Sequence, residues 1–457
     1  MLSPPATVSV YHGLALTRAG LRVIAHNVDR LGKAWRWLAS RRPRTYLIAG
    51  WVAFVLFCYP GYLSFDSSMQ LFAVRTGTYT DYAPVMTGIW SLLEWVAAGP
   101  FPMLVLQSGL FLFGLHGILR HLLSPRAAAV TAAGILLFPP VFSPMAVIWP
   151  ESLMAGALLA AVACLLSPSR RAKIAGGVLF AIACACRPEI ALAIAPLVFL
   201  GIPAMVRWQR VAVALGIVVA LALVARVGDL ALTDDDHHRW QQDLLLVDLA
   251  ATLHRTHVKD ASALHGLTVV DPAAVTRGRE PFDSWPLVTG PHRLVDPITS
   301  DDARDAVIAD WQHVVAAHPN AYLFHRLNMF KHLLGDMPGW MPVYDEFGDP
   351  ALLAPLHHRA LPSDLQDAWN GVVHLFARTP LFKPWLYLLL AIVALVLARR
   401  QRLLRNLAIS GLVFELAMFF LAPGAEYRNS HWLVTTTTLA LVAFAVARKP
   451  EWRAPAA

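Results

Sequence analysis

Long apolar runs recur along this chain and restrict the folds that are open to it. Runs of about 17–22 residues recur, close to the roughly 20 residues that an α-helix needs to cross a bilayer. Hydrophobic residues make up 57% of the chain and charged residues only 15%, a balance typical of membrane proteins rather than of water-soluble domains. The sequence therefore predicts an all-α, polytopic membrane protein with about ten transmembrane helices.

Short clusters of basic residues lie between the apolar runs, for example at residues 41–44, 170–173 and 399–405. When successive runs are placed in alternate directions, nearly every such cluster falls on one side of the membrane, which the positive-inside rule identifies as the cytoplasm. The formal net charge of +8 is thus explained by topology, and nucleic-acid binding is not predicted. We expect a protein of the cytoplasmic (inner) membrane with both termini in the cytoplasm.

The polar stretches divide the chain into five parts. The basic N-terminal residues have the pattern of an amphipathic helix on the cytoplasmic lipid surface, although a partly ordered tail that only fixes orientation explains them equally well. The one long polar stretch has apolar residues at helical spacing and predicts a mostly helical extracytoplasmic domain. The parts are a cytoplasmic tail (1–45), an N-terminal transmembrane module (46–227) with its first outer loop at 63–100, the extracytoplasmic domain (228–383), C-terminal transmembrane helices (384–447) and a cytoplasmic tail (448–457).

Ionisable residues stand at the ends of the apolar runs in every predicted outer loop. Acids and arginines that meet at one membrane face suit an anionic lipid, because arginine binds phosphate through two hydrogen bonds and a carboxylate can act as a base or a metal ligand. The alternative is that these charges are simply solvated. They are Asp66 and Asp81 in the first outer loop, Glu151 in the second, Arg187 and Glu189 in the third, Arg326 in the polar domain, and Glu426, Arg428 and His431 in the last loop.

No metal-binding pattern accompanies these residues. The four cysteines lie in or beside apolar runs and have neither zinc spacing nor the pattern of a disulfide framework. The histidines of the polar domain include no HExxH-like pattern, so surface or interfacial positions are favoured for them. The metal content is left unknown, and a divalent cation held by Asp66 and Asp81 stays open because hard cations prefer clustered oxygens.

Six short motifs follow one another along the chain. They are PGYLSFD (60–66), TDYAP (80–84), WPES (149–152), CRPE (186–189), HPNAYLFHRLNMF (318–330) and EYRNSHW (426–432). In this order the chain resembles bacterial GT-C superfamily glycosyltransferases over nearly its whole length. It carries Ala83 where relatives often have a histidine before the proline, and Asn429 where many have an aromatic residue after the arginine.

The resemblance implies an inverting membrane glycosyltransferase. Its donor would be a polyprenyl-phosphate sugar, and its acceptor a lipid-linked glycan, lipid A, an O-antigen or a protein on the outer face of the membrane. The first outer-loop acid is the usual catalytic residue of such enzymes. That position is Asp66 here, the base that would deprotonate the acceptor hydroxyl. The other catalytic candidates are Asp81 and Glu151, and the candidates for binding the lipid phosphate are Arg187, Arg326 and Arg428.

Structural roles compete with these functional ones. Asp66 could cap a helix, Asp81 could occupy a turn, and Glu151 could only begin a helix at its positive end. The arginines could extend to lipid headgroups. A rival function is a transporter or flippase of lipid-linked sugars without transferase chemistry, which would place ionisable residues inside the spans along a path through the membrane. Glu415 is the clear acid of that kind, whereas the other charges gather at one face, which favours the enzyme.

Overall fold

A computed structural model describes residues 42–80, 82–203, 205–234, 240–256, 300–336, 342–356 and 362–454, together with Phe282 and Leu287. Within these residues the regular structure is helical, and extended backbone makes only isolated bridges such as that of Tyr62 with Val147. The all-α prediction is confirmed. Residues 1–41 of the predicted N-terminal tail and the candidate residue Asp81 lie outside the described residues, whereas residues 43–45 of that tail already belong to the first helix.

The helices follow one another through mostly short turns in the first half of the chain. In order they are α1 (Pro43–Cys58), α2 (Phe65–Thr76), α3 (Pro84–Glu94), α4 (Phe101–Leu119), α5 (Pro125–Leu136), α6 (Pro139–Met145), α7 (Pro150–Leu166), α8 (Arg170–Cys186), α9 (Ala191–Val198) and α10 (Arg207–Leu232). The second half contains α11 (Trp240–Thr256), α12 (Asp301–Ala317), α13 (Pro319–Lys331), α14 (Pro350–Leu353), α15 (Asp364–Ala377), α16 (Pro384–Leu397), α17 (Arg402–Leu421) and α18 (His431–Val446).

Proline determines where many of these helices begin. It occupies the first turn of α1, α3, α5, α6, α7, α13 and α16. Its fixed φ suits that turn, where the missing N–H would have no helical partner in any case. Proline also interrupts the apolar runs. The apolar run at 127–148 is long enough for one span, but the chain breaks before Pro139 and gives α5 and α6, which are bent by 67°.

Helices that could cross a membrane are present among the described residues. Three of them, α4, α10 and α17, are long and apolar enough to cross a membrane, and the bent pair α5 and α6 would make a fourth span. The apolar segments α1, α7, α16 and Pro188–Val198 are 10–17 residues long. The prediction of a membrane protein is therefore supported, but fewer helices than the expected ten meet this criterion of length and composition.

Small residues let the helices around the outer loops pack closely. A methyl group added at Gly114 in α4 would overlap the backbone of α7 at Leu159, so these two helices meet backbone to backbone. In the same way, a methyl group added at Gly411 in α17 would overlap the Thr436 side chain of α18. The α7 helix is buried along most of its length. These contacts fix the helix ends from which the outer loops begin.

The described part of the polar domain is helical and has its own small core. The α12 helix begins where Ser300 accepts a hydrogen bond from the Ala303 N–H, and two acids follow in its first turn. Its buried face, with Val307 and Val314, packs with α11 and with Met329 of α13. This helix bundle therefore holds residues 318–331 next to the start of the last outer loop.

Candidate functional site

Six charged side chains from distant parts of the chain form a continuous set of ion pairs, which we call the charged cluster. They come from α2, the first turn of α7, the turn after α8 and the loop between α17 and α18. The members are Asp66, Glu151, Arg187, Glu189, Glu426 and Arg428. The structure thus brings four of the predicted outer loops to one place.

Arg428 is in contact with three carboxylates. Its Nη1 lies 2.5 Å from Asp66 Oδ2, its Nε lies 3.9 Å from Glu151 Oε1, and its Nε also forms an ion pair with Glu426. The guanidinium carbon lies 5.0 Å from the centroid of the Trp149 ring, within the range of a cation–π contact. Arg428 therefore joins the first, second and last outer loops.

Arg187 connects the rest of the cluster. It forms an ion pair with Glu151, its Nε lies 3.4 Å from Glu189 Oε2, and its Nη2 donates a hydrogen bond of 3.1 Å to Asn429 Oδ1. Both arginines therefore share the carboxylate of Glu151, which is fully buried. Glu151 also lies in the first turn of α7, where the helix dipole favours a negative charge, so its structural role and its place in the cluster coexist.

Asp66 is not a helix cap. The cap of α2 is Ser64, whose hydroxyl accepts from the Ser67 N–H in a capping box, so the alternative assignment of Asp66 as the cap is wrong. The Asp66 carboxylate instead accepts from Arg428 and, at 3.3 Å, from the Tyr82 hydroxyl. With 31% of its side chain exposed, it remains accessible to solvent.

Burial and neighbouring charges determine ionisation in the cluster. Burial alone would lower the pKa of Arg428, but its carboxylate partners outweigh burial and raise the pKa above its usual value. The same balance raises the pKa of Arg187, so both guanidinium groups are charged at physiological pH. Burial, reinforced by the charge of Asp66, raises the pKa of Tyr82. The Tyr82 hydroxyl is therefore a hydrogen-bond donor.

Glu426 lies on the open side of the cluster, with 46% of its side chain exposed. Burial nevertheless raises the pKa of Glu426, although Arg428 opposes that effect. Across the cluster, four carboxylates face two guanidinium groups, which leaves a formal excess of two negative charges when all are ionised.

Aromatic side chains beside the cluster were not recognised as site residues from the sequence. Trp149 donates a hydrogen bond of 2.8 Å to Ser64 Oγ, and its ring centroid lies 5.6 Å from that of Tyr344. Tyr82 and Asn429 contact cluster members directly. Three of these side chains lie in the short motifs of the sequence: Trp149 in WPES, Tyr82 in TDYAP and Asn429 in EYRNSHW. Their position in these motifs is the sequence feature that could have identified them as site residues. Tyr344 lies outside the motifs, so only its contact with Trp149 places it beside the cluster.

The two remaining predicted site residues are Arg326 and Asp81. Arg326 is fully buried in the polar domain, where it donates 2.7 Å to Asp248 Oδ2 and 2.9 Å to the Ala422 carbonyl. It thereby joins α11 to the end of α17 and takes no part in the ion pairs of the charged cluster. Asp81 lies outside the described residues, so its predicted partnership with Asp66 stays a prediction.

The last outer loop also carries a histidine, His431. His431 is fully buried, and its ring stacks on Phe111 with centroids 6.2 Å apart. Within the described ranges, no group of three or more His, Cys, Asp or Glu side chains is arranged to hold a metal ion. A divalent cation therefore stays a prediction that depends on Asp81.

Comparison of the chain with protein-family models, with curated proteins and with solved structures gave no match. The charged cluster itself is therefore the feature from which a function can be inferred. Its parts are two partly exposed carboxylates, Asp66 and Glu426, and two charged arginines, and they lie next to helices that are long and apolar enough to span a membrane.

Proposed function

We propose that this protein is an integral-membrane glycosyltransferase that moves a sugar from a polyprenyl-phosphate donor to a cell-envelope acceptor. The observation that carries the proposal is the charged cluster. Asp66 and Arg428 are 362 positions apart in sequence, yet their side chains are in contact. A carboxylate beside paired arginines supplies the base and the phosphate-binding groups that such a transfer requires.

In the proposed reaction, Asp66 accepts the proton of the acceptor hydroxyl. The hydroxyl oxygen forms the new bond to the anomeric carbon, while the bond from that carbon to the phosphate oxygen breaks and the phosphate leaves with the electron pair. Arg428 and Arg187 stabilise the charge on the departing phosphate. A single displacement of this kind inverts the anomeric configuration. The acceptor is a lipid-linked glycan, lipid A, an O-antigen or a protein.

The charge balance of the cluster adds one requirement. Because carboxylates outnumber arginines, a phosphate must displace a carboxylate from Arg428 or bring positive charge with it. A divalent cation bound between Asp66 and Asp81 is one source of that charge, and no other cofactor is part of the proposal.

We further propose the cytoplasmic membrane, about ten spans and cytoplasmic termini. Two helices support this orientation. The α8 helix begins with the basic residues 170–173 and ends directly before Arg187, and α17 begins in the basic patch 399–405 and ends shortly before Glu426. The cluster therefore lies at the helix ends opposite the basic patches, which is the extracytoplasmic side under the positive-inside rule.

The test is transfer from a labelled polyprenyl-phosphate sugar by the purified protein in lipid nanodiscs. We expect Asp66→Asn to lower the rate by about 10²–10⁴-fold, the usual contribution of a positioned base. Asp302→Asn, an exposed acid at the start of α12, is the matched control and should keep full activity. Undiminished transfer by Asp66→Asn would refute the catalytic assignment.

The rival function is a flippase of lipid-linked sugars. It is favoured by one observation, the fully buried Glu415 within α17, a helix long enough to cross a membrane. The flippase would move the labelled lipid between the leaflets of vesicles without forming a new glycosidic bond. Movement without transfer by the wild-type protein would replace the enzyme with this second function.

A further inference from the structure

The turn that carries Arg428 is held by a different element at each of its four positions. Tyr427–Ser430 forms a short 3₁₀ turn between α17 and α18. The Tyr427 hydroxyl donates 3.0 Å to the Pro140 carbonyl at the start of α6, and Asn429 accepts from Arg187. Arg428 reaches the charged cluster. The last position, Ser430, donates a hydrogen bond of 2.7 Å to Glu415 Oε1.

The contact of Ser430 with Glu415 replaces a more usual one. Ser430 is the N-cap of α18, and a serine there normally accepts a hydrogen bond from a backbone N–H of the first turn. Its side chain makes no such capping bond. Both Ser430 and Glu415 are fully buried. Since an acid within a membrane-spanning helix is costly, the pair requires an explanation beyond helix packing.

Packing of α17 against α18 does not depend on this hydrogen bond. One turn and a half earlier in α17, Ser410 accepts a hydrogen bond of 2.9 Å from Trp432 Nε1, and Gly411 packs closely on Thr436. These contacts hold the two helices together along their length. The Glu415 contact differs from them because it ends on the turn itself, two residues after Arg428.

We propose that Glu415 is a positioning residue for Arg428, and that it acts as the hydrogen-bond acceptor that fixes the Tyr427–Ser430 turn. The carboxyl oxygen holds Ser430, Ser430 holds the end of the turn, and the turn presents the Arg428 guanidinium to Asp66 and to the donor phosphate. This role rests on the proposed function only in its last step. The positioning role needs the carboxyl oxygen of Glu415 but not its negative charge. It therefore differs from a role in moving ions or protons along α17, which would need the charge.

The test measures the accessibility of Arg428 without any substrate. Full-length protein in nanodiscs is treated with phenylglyoxal, which modifies accessible guanidinium groups, and the rate is followed for each arginine by mass spectrometry. We expect Glu415→Leu and Ser430→Ala to speed modification of Arg428 about fivefold, the factor that corresponds to one ordinary buried hydrogen bond. Arg326, which is fully buried against the end of α17, should stay protected and shows that the helix is intact.

Two further variants make the result specific. Glu415→Gln keeps a carbonyl oxygen for Ser430, so Arg428 should be modified at the wild-type rate. Ser410→Ala removes a hydroxyl whose hydrogen bonds join the same helix pair through Trp432 and reach the Ala193 carbonyl rather than the turn, and it should also leave Arg428 unchanged. Unaltered modification in Glu415→Leu, or simultaneous loss of Arg326 protection, would overturn the proposal.

Transfer activity gives a second readout that separates this proposal from the proposed function. Glu415→Leu should lower kcat/KM about as much as it exposes Arg428, and Glu415→Gln should restore it. If Glu415→Gln abolishes function although Arg428 stays protected, the ionisation of Glu415 matters and the positioning role is refuted. If the wild-type protein transfers no sugar, the glycosyltransferase fails, whereas the modification rates still decide the role of Glu415.

Discussion

Replacing Asp66 with asparagine should have opposite effects on catalysis and on binding. The variant loses the proposed base, so transfer should fall. It also removes a carboxylate that contacts Arg428 in the absence of substrate. A phosphate that binds Arg428 would then meet less competition and less repulsion. We therefore expect Asp66→Asn to bind a polyprenyl phosphate without sugar more tightly than the wild-type protein.

The size of the effect follows from the geometry of the pair. Asp66 Oδ2 lies 2.5 Å from Arg428 Nη1, with the side chains 31% and 14% exposed. A phosphate on Arg428 would stand about 4 Å from the Asp66 carboxylate, where two like charges repel by ~4 kcal/mol at the effective dielectric constant near a protein surface. Because solvent reaches almost a third of Asp66, we reduce this to ~1–2 kcal/mol, a factor of ~5–30 in Kd.

The assay is equilibrium binding of labelled polyprenyl phosphate to full-length protein in nanodiscs at fixed ionic strength. Glu426→Gln should change binding in the same direction but less, because the Glu426 side chain is more exposed. Asp302→Asn is again the distant control. Weaker binding by Asp66→Asn would refute the reasoning. It would mean that Asp66 attracts the donor, as it would if it held a cation.

Other expectations concern stability and pH. Arg187→Ala should lower the free energy of unfolding by about 3–5 kcal/mol, because it leaves the buried carboxylate of Glu151 without one of its partners. An unchanged Tm in detergent would contradict this. Arg326→Ala should lower the free energy of unfolding by a similar amount, because Asp248 stays buried without its arginine partner. The double variant Asp248→Leu/Arg326→Met should recover most of the lost stability, because it removes both buried charges. If Arg326→Ala instead lost transfer activity while its Tm stayed unchanged, Arg326 would belong to the functional site. Burial raises the pKa of Glu426 above its usual 4.5. The stability that the Glu426 side chain contributes is therefore fully present at low pH and declines as the pH rises from 4.5 through the raised pKa. Over this pH range the Tm of the wild-type protein should fall relative to that of Glu426→Gln. Parallel pH profiles would show that the shift is absent.

The helices were largely predictable because they depend on local sequence. Apolar runs and prolines mark α4, α8 and α16 within a few residues, and the acids after Ser300 mark the start of α12. The break before Pro139 was missed because the apolar composition continues across it. A run of apolar residues reports burial in lipid or protein, but it does not report the direction of the helix axis.

The site was predictable in its members but not in its pairings. Asp66, Glu151, Arg187 and Arg428 were selected from loop position and motif, and they do meet. Arg326 was grouped with them on the same grounds. Its partner Asp248 is an acid in the middle of an otherwise apolar helix face, and only the packing of α11 against α13 brings them together. Contacts of that kind are set by tertiary structure, which one sequence does not contain.

The distance in sequence between Asp66 and Arg428 has a consequence for biosynthesis. Residues that line the first outer loop leave the ribosome long before the turn at Tyr427–Ser430, because Asp66 and Arg428 are 362 positions apart in the chain. Until α18 is inserted, Asp66 lacks its arginine and Asn429 cannot hold Arg187. A chain released before this turn therefore has an incomplete site, in which the buried carboxylate of Glu151 also lacks its contact with Arg428.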